Sequence, residues 1–234
     1  MAANKGTSLG GESHIDRVLS PQSGSIAGVD EVGRGALFGP VVAAAVVLSV
    51  NAEVELAALG VRDSKQLSAK RRTALSGQIR ALACDCQVGV ATVAEIDRLN
   101  IGQATLLAMR RAIEQLQPPP QLCHIDGNRR IPDLPMAQET IVGGDRSSVA
   151  ISAASIVAKV WRDELIVGLA TDYPEYDLAR NKGYGTARHR EALQRYGATP
   201  EHRQSFAPCR GRAGEAGEAG EAGGAGGDGE EHRN

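Results

Sequence analysis

Residues 41–48, VVAAAVVL, are eight apolar side chains in a row, and no other stretch restricts the fold so much. The run is far short of the roughly 20 apolar residues that a membrane helix needs, and it fits a buried strand. A chain of 234 residues can surround such a strand with one sizeable core, or with one core and a small appended lobe. Aromatic residues make up only 3%, so that core must be built from small and branched aliphatic side chains. The first 20 residues are polar and rich in Gly and Ser. They contain no apolar segment of the kind a secretory signal needs, and the expected location is the cytoplasm. Cys84, Cys86, Cys123 and Cys209 lack the paired spacing of a zinc site and are expected to be buried as small hydrophobes.

Other elements follow from periodicity. Residues 25–30 read as a short buried strand, 36–50 as a long one beyond a Gly-rich turn, and 86–93 as a third. A helix is expected over 69–83 with Ser68 as its N-cap, and another over 102–117, ended by Pro118-Pro119-Pro120. A strand at 122–126, a strand near 139–142 and a long helix from about 149 to 170 follow. Two short helices then flank Gly183-Tyr184-Gly185. Three successive strands predict an antiparallel meander, and the strand–helix–strand passage ending at Asp126 requires a parallel partner. The result is an α/β fold, a mixed five-stranded sheet flanked by helices. Residues 1–23 are expected to be a disordered extension and 24–172 the main domain, with 173–210 a basic helical lobe and 211–234 a disordered Gly/Glu/Ala tail.

The net charge of −2 conceals an uneven distribution. The tail from Gly211 carries −4, whereas residues 180–210 hold seven basic side chains against Glu191 and Glu201. A basic lobe on a near-neutral body suits a phosphate backbone, although many solvated helices look alike.

The acids are more telling. Ile26-Ala27-Gly28-Val29 leads into Asp30-Glu31, and Leu122-Cys123-His124-Ile125 leads into Asp126-Gly127. Asp145 follows Ile141-Val142-Gly143-Gly144. If the strand at Leu122 lies beside the strand at Ile26, Asp30 and Asp126 meet at one sheet edge, where open α/β sheets bind ligands. An all-oxygen cluster there suits Mg²⁺ or Mn²⁺ rather than zinc. The same acids also suit turns and helix caps. Side chains alternate along a strand, so for Asp30 and Glu31 to share a site the strand must end or twist there.

Asp30-Glu31-Val32-Gly33-Arg34-Gly35 closely resembles the signature of ribonuclease HII, the type 2 bacterial ribonuclease H family. Asp63-Ser64-Lys65, Ile125-Asp126-Gly127-Asn128, the segment Ser152-Ala153-Ala154-Ser155 with Arg162-Asp163, Lys182-Gly183-Tyr184-Gly185-Thr186 and His202-Arg203-Gln204-Ser205-Phe206 follow in that family's order. The resemblance spans roughly residues 24–209 and implies the ribonuclease H fold. It also implies metal-dependent endonucleolytic hydrolysis of RNA in RNA–DNA hybrids, and cleavage 5′ to single ribonucleotides embedded in duplex DNA. Products would carry 5′-phosphate and 3′-hydroxyl ends. The family's metal-binding acids map onto Asp30, Glu31 and Asp126, and its fourth active-site acid onto Asp145. Two Mn²⁺ or Mg²⁺ ions are the implied cofactor. Gly33, Arg34, Gly35 and Tyr184 map onto the reader of the 2′-hydroxyl, with Lys65 a candidate phosphate contact.

The expected partners are RNA–DNA hybrids and ribonucleotide-containing duplexes, with no membrane, and the expected state is a monomer. The chain departs from the family at Gly143, where lysine is common, and at Ala36, where proline is frequent. The weaker alternatives are a DNA nuclease of the same fold and a non-catalytic nucleic-acid-binding module. The first needs no 2′-hydroxyl reader; the second needs no acids facing phosphates. His189 and His202 are not needed as general bases if metals generate the nucleophile.

Overall fold

β1 (Ile26–Val32) is buried over most of its length, because small residues at Ala27 and Gly28 let neighbours approach it on both sides. It runs antiparallel to β2 (Val41–Val47), with Ala27 opposite Val47 and Val32 opposite Val42. On its other side it runs parallel to β4 (Leu122–Asp126), which in turn pairs in parallel with β5 (Ala137–Ile141). β3 (Asp85–Ala91) completes the sheet in the order β3-β2-β1-β4-β5. This is the mixed five-stranded sheet expected from the sequence. The computed structural model describes residues 25–62 and 67–211. The two terminal extensions and Lys65 lie outside the described residues.

Every residue of β2 is buried, but the strand is shorter than the span 36–50 suggested. Gly39, at φ 78°, and Pro40 interrupt it at the start, since proline cannot donate to a ladder. At its far end Ser49 accepts a hydrogen bond from the N–H of Ala52 and starts α1 (Val50–Ala58). That helix escaped the sequence reading because only Ala52 and Leu56 are buried, too sparse a stripe to register as periodicity. α2 (Ala69–Leu82) starts at Ser68 as expected. α3 (Val93–Leu99) was also missed; Thr92 and Glu95 form a capping box at its start. α4 (Ile101–Glu114), the short α5 (Gly144–Ser147) and α6 (Val149–Leu169) follow.

The described residues divide into two compact units. The first comprises residues up to 32, 42–90 and 105–162. Its core joins Ala44 and Val46 of β2 to Leu56, Leu75 and Ile79 from α1 and α2, and to Ala153, Ile156 and Val157 of α6. The second comprises residues 33–41, 91–104 and those from 163 onward. Its core gathers Leu37, Phe38, Ile166, Tyr176, Leu178 and Leu193. Here α7 (Leu178–Asn181) and α8 (Ala187–Tyr196) flank Gly183-Tyr184-Gly185, as the sequence indicated.

All four cysteines are free. Cys123 and Cys209 are buried and Cys86 half-buried, whereas Cys84 is exposed. The expectation of burial fails at Cys84 because β3 begins only at Asp85, so Cys84 is not on a strand face. Among the described residues no helix is long and apolar enough to cross a membrane.

Candidate active site

The parallel register places Val29 opposite Ile125, so Asp30 and Asp126 come one residue later on adjacent strands running the same way. The acid pair is therefore a product of topology, not of sequence proximity. Asp30 is 5% exposed. What lies over it is set two residues earlier, at Gly28. A Cβ on Gly28 would stand 2.2 Å from the carbonyl carbon of Ala150 and 2.4 Å from the Ile151 nitrogen, so the first turn of α6 rests directly on the strand backbone. From that contact, two residues along a strand advance ~6.7 Å. Four residues along a helix advance ~6 Å. The two elements thus keep pace, and Ser155, four residues beyond Ile151, donates its hydroxyl to the Asp30 carboxylate.

Burial pushes the Asp30 carboxyl well above the usual carboxylate range, and the nearby charges of Glu31 and Asp126 push it further. The Ser155 hydroxyl and the Glu31 N–H, which donates to Asp30 Oδ1 at 2.7 Å, act in the opposite direction and do not compensate. β1 continues to Val32, beyond the span 25–30, so of the two alternatives at the acids the strand does not end there. Glu31 nevertheless remains the strongest charge acting on Asp30.

Asp126 is oriented by the N–H of Gly144, which donates to its Oδ1 at 2.8 Å. Gly144 opens α5, and Asp145 beside it is 5% exposed. The main-chain carbonyl of Asp145 accepts the Ser152 hydroxyl at 2.6 Å, fixing α5 to α6. The backbone of Asp145 thus continues directly from the Gly144 amide that holds Asp126.

Arg146 was not singled out from the sequence. A Cβ on Gly143, which adopts φ 69°, would stand 2.7 Å from Arg146 Nη2, so the guanidinium lies against the face where a side chain at 143 would project. Arg146 is exposed, and among the described residues no hydrogen bond or ion pair engages its guanidinium. Its signal in the sequence was its position directly after the last acid, opposite the place where the expected lysine is missing.

Among the described residues no three His, Cys, Asp or Glu side chains are arranged to hold an ion by themselves. The donor set still fits a hard divalent cation. It is all oxygen, its charges repel one another, and Mg²⁺ commonly binds through one or two carboxylates with water and substrate phosphate completing the shell.

In the second unit, Gly33 (φ 87°) opens a turn closed by the Ala36 N–H donating to the Gly33 carbonyl at 3.2 Å. Ala36 pairs with Tyr184, so the Gly33-Arg34-Gly35 turn and Tyr184 are neighbours within this unit. The glycines have different reasons to be glycine. Gly183 is required by packing, since a Cβ would meet the Phe38 carbonyl at 2.7 Å, whereas at Gly185 a Cβ would stand 2.9 Å from Leu37 Cδ1, an atom at the end of a side chain that can shift. A Cβ on Gly35 would meet nothing within 4 Å, and its φ is not in the left-handed region. Neither packing nor a left-handed backbone demands glycine there. His189 and His202 are fully buried, with their ring nitrogens engaged within the protein.

The family model for ribonuclease HII matches residues 27–209. The ribonuclease HII of Acaryochloris marina is 63% identical over 191 residues, covering 82% of this chain and 96% of that protein. That of Trichormus variabilis is 59% identical over 187 residues, covering 80% and 83%. Among solved structures, ribonuclease H2 from Pyrococcus horikoshii superposes with a TM-score of 0.71 at 28% identity, covering 80% of this chain and 95% of that one. With the acid-bearing strand ends, these matches show that the chain belongs to the ribonuclease HII family of ribonuclease H-type endonucleases.

Proposed function

We propose that this chain hydrolyses the RNA strand of RNA–DNA hybrids and cuts on the 5′ side of single ribonucleotides in duplex DNA, leaving 5′-phosphate and 3′-hydroxyl ends. The observation that carries this reading is the pairing of β1 with β4, which sets Asp30 and Asp126 side by side at one sheet edge with Glu31 acting on both the charge and the position of Asp30. Asp30, Glu31 and Asp126 would hold the divalent ions, Mn²⁺ or Mg²⁺, and Asp145 supports them. When bound, such ions supply the Lewis acidity that activates water and stabilises the leaving oxygen.

The protein's own contribution is placement. Ser155 and the Glu31 N–H fix the Asp30 carboxylate, and the Gly144 N–H fixes that of Asp126. Gly33, Arg34 and Gly35 offer backbone groups to the ribose 2′-hydroxyl, with the bare Cα of Gly35 permitting close approach. Tyr184 stacks on the neighbouring sugar or base. Arg146 supplies a fork of donors for a phosphate beside the acids, a role left open by Gly143, and Lys65 is a further phosphate contact. One chain carries every residue assigned a role, so a monomer suffices.

The test is cleavage of a DNA duplex containing one ribonucleotide, with Mn²⁺ or Mg²⁺ supplied. A cut 5′ to the ribonucleotide is expected, abolished by chelator and by Asp30→Asn or Asp126→Asn in folded protein. Equal cutting of an all-DNA duplex, or full activity in Asp126→Asn, would overturn the reading. Tyr184→Ala is expected to reduce chiefly the preference for the ribonucleotide junction.

A further inference from the structure

His202 and Arg203 are consecutive, fully buried, and far in sequence from the acids. A buried guanidinium is costly unless its donors find partners. Arg203 sends Nε to the Gly39 carbonyl and Nη1 to the Arg34 carbonyl, both at 2.9 Å, and its guanidinium lies 5.2 Å from the Phe206 ring centroid. It therefore spans the loop that begins with the Gly33-Arg34-Gly35 turn and grips it by the main chain at two points.

His202 reaches the other half of the reader through a relay. The Thr199 N–H donates to His202 Nδ1 at 3.0 Å, so in the neutral ring the proton is on Nε2. That Nε2–H faces His189 Nε2 at 3.0 Å, which must accept, so His189 carries its proton on Nδ1. The His189 Nδ1–H then donates to the Tyr184 carbonyl at 3.0 Å. No other pair of neutral tautomers satisfies all three contacts. Edge contacts from Phe38 at 5.0 Å and the tilted Tyr176 ring at 4.7 Å fix the His202 plane. The segment itself is anchored by the Asp97 carboxylate, which accepts the N–H groups of Gln204 and Ser205, each at 2.9 Å.

We propose that His202 and Arg203 are positioning residues for ribose recognition. Arg203 holds the backbone of the Gly33-Arg34-Gly35 turn, and His202, through His189, holds the backbone of Tyr184. This rests on the proposed reading of those segments as the 2′-hydroxyl reader. Main-chain groups can select a hydroxyl only if held to within a fraction of an ångström, and the clamp supplies that restraint from both sides.

The experiment is a double-mutant cycle on the full chain. Cutting of a duplex with one ribonucleotide is compared with cutting of a long hybrid, for wild type, Tyr184→Ala, His202→Leu and the double variant. His202→Leu, which removes the hydrogen bonds of the ring to Thr199 and His189, should lower the junction preference about tenfold, and should add nothing once Tyr184 is gone. Arg203→Lys, which keeps the charge but not the fork, should raise KM for both substrates. Multiplicative losses in the double variant overturn the clamp. A second measurement needs no variant: ¹⁵N-histidine NMR of the wild type at neutral pH should show one histidine protonated at Nδ1 and one at Nε2, coupled across their Nε2 atoms. Two rings in the same tautomer, or either ring charged, would refute the relay. If the wild type cuts neither substrate, the reading of the reader fails and the clamp with it. Normal wild-type cutting with additive variant losses refutes the clamp alone.

Discussion

Replacing Asp30 with Asn should abolish cleavage and at the same time make the protein more stable in metal-free solution. The carboxyl is 5% exposed, and its burial, together with the charges of Glu31 and Asp126, outweighs its hydrogen bonds from Ser155 and the Glu31 N–H. Asparagine keeps an acceptor for the Glu31 N–H and removes the charge. Relief of strain at a functional site of this kind is worth about 1–2 kcal/mol. For a chain of this size each kcal/mol moves the melting temperature by about 2–4 °C.

The sign with pH is fixed by linkage. An acid whose folded pKa is raised destabilises the folded state above that pKa. The penalty shrinks as pH falls through it and is gone below the unfolded value of about 3.9. Thermal melts of wild type and Asp30→Asn should therefore differ most at neutral pH and converge toward pH 4. Divalent cation should stabilise the wild type, by about 2.7 kcal/mol at a hundred times its Kd, and the variant much less. A variant that melts below wild type at pH 7, or a difference indifferent to pH, would refute the electrostatic reasoning.

Gly28→Ala should cost about 1–3 kcal/mol and slow cleavage, since the added carbon collides with the backbone of α6 and displaces Ser155 from Asp30; melting and single-turnover rates check both effects. The buried His189–His202 pair should make the fold acid-sensitive. Burial, then the neighbouring His189, holds His202 down to about 3, and burial lowers His189 as well. Stability is thus full above about pH 6.5 and lost as pH falls toward the folded value, at about 1.4 kcal/mol per pH unit for His202. Urea midpoints of wild type and His202→Gln at pH 7.5 and 5 should show a steeper loss in the wild type. Arg146→Ala should weaken substrate binding and reduce the slope of log affinity against log salt by about 1, measured on a catalytically silent Asp126→Asn background. An unchanged slope would remove Arg146 from the phosphate contacts.

The sequence made the sheet readable because β2 is a continuous apolar run, β1 and β4 begin with mostly apolar residues, and the parallel crossover is announced by the helix before Leu122. The candidate site was visible as acids that follow apolar stretches, and the β1–β4 register puts two of them on adjacent strands. What it withheld depended on contacts between distant segments. α1 and α3 bury too few residues to leave a periodic trace, and their starts are marked only by Ser49 and by the Thr92/Glu95 pair. The place of Arg146 over Gly143 follows from a left-handed backbone at 143, which no single residue advertises. The two histidines looked like candidate bases or bystanders. Their relay exists only because α8 carries His189 to the loop that holds His202.

Gly28 contributes no side-chain atom, yet the distance between α6 and the sheet is measured from it. Because Ser155 is carried on that helix, the bond angle at which a hydroxyl meets the Asp30 carboxylate is decided two residues upstream of the acid and four residues upstream of the hydroxyl. Substitution at this position acts on an oxygen it never touches, so a narrow tolerance of the candidate site falls on a residue with no side chain.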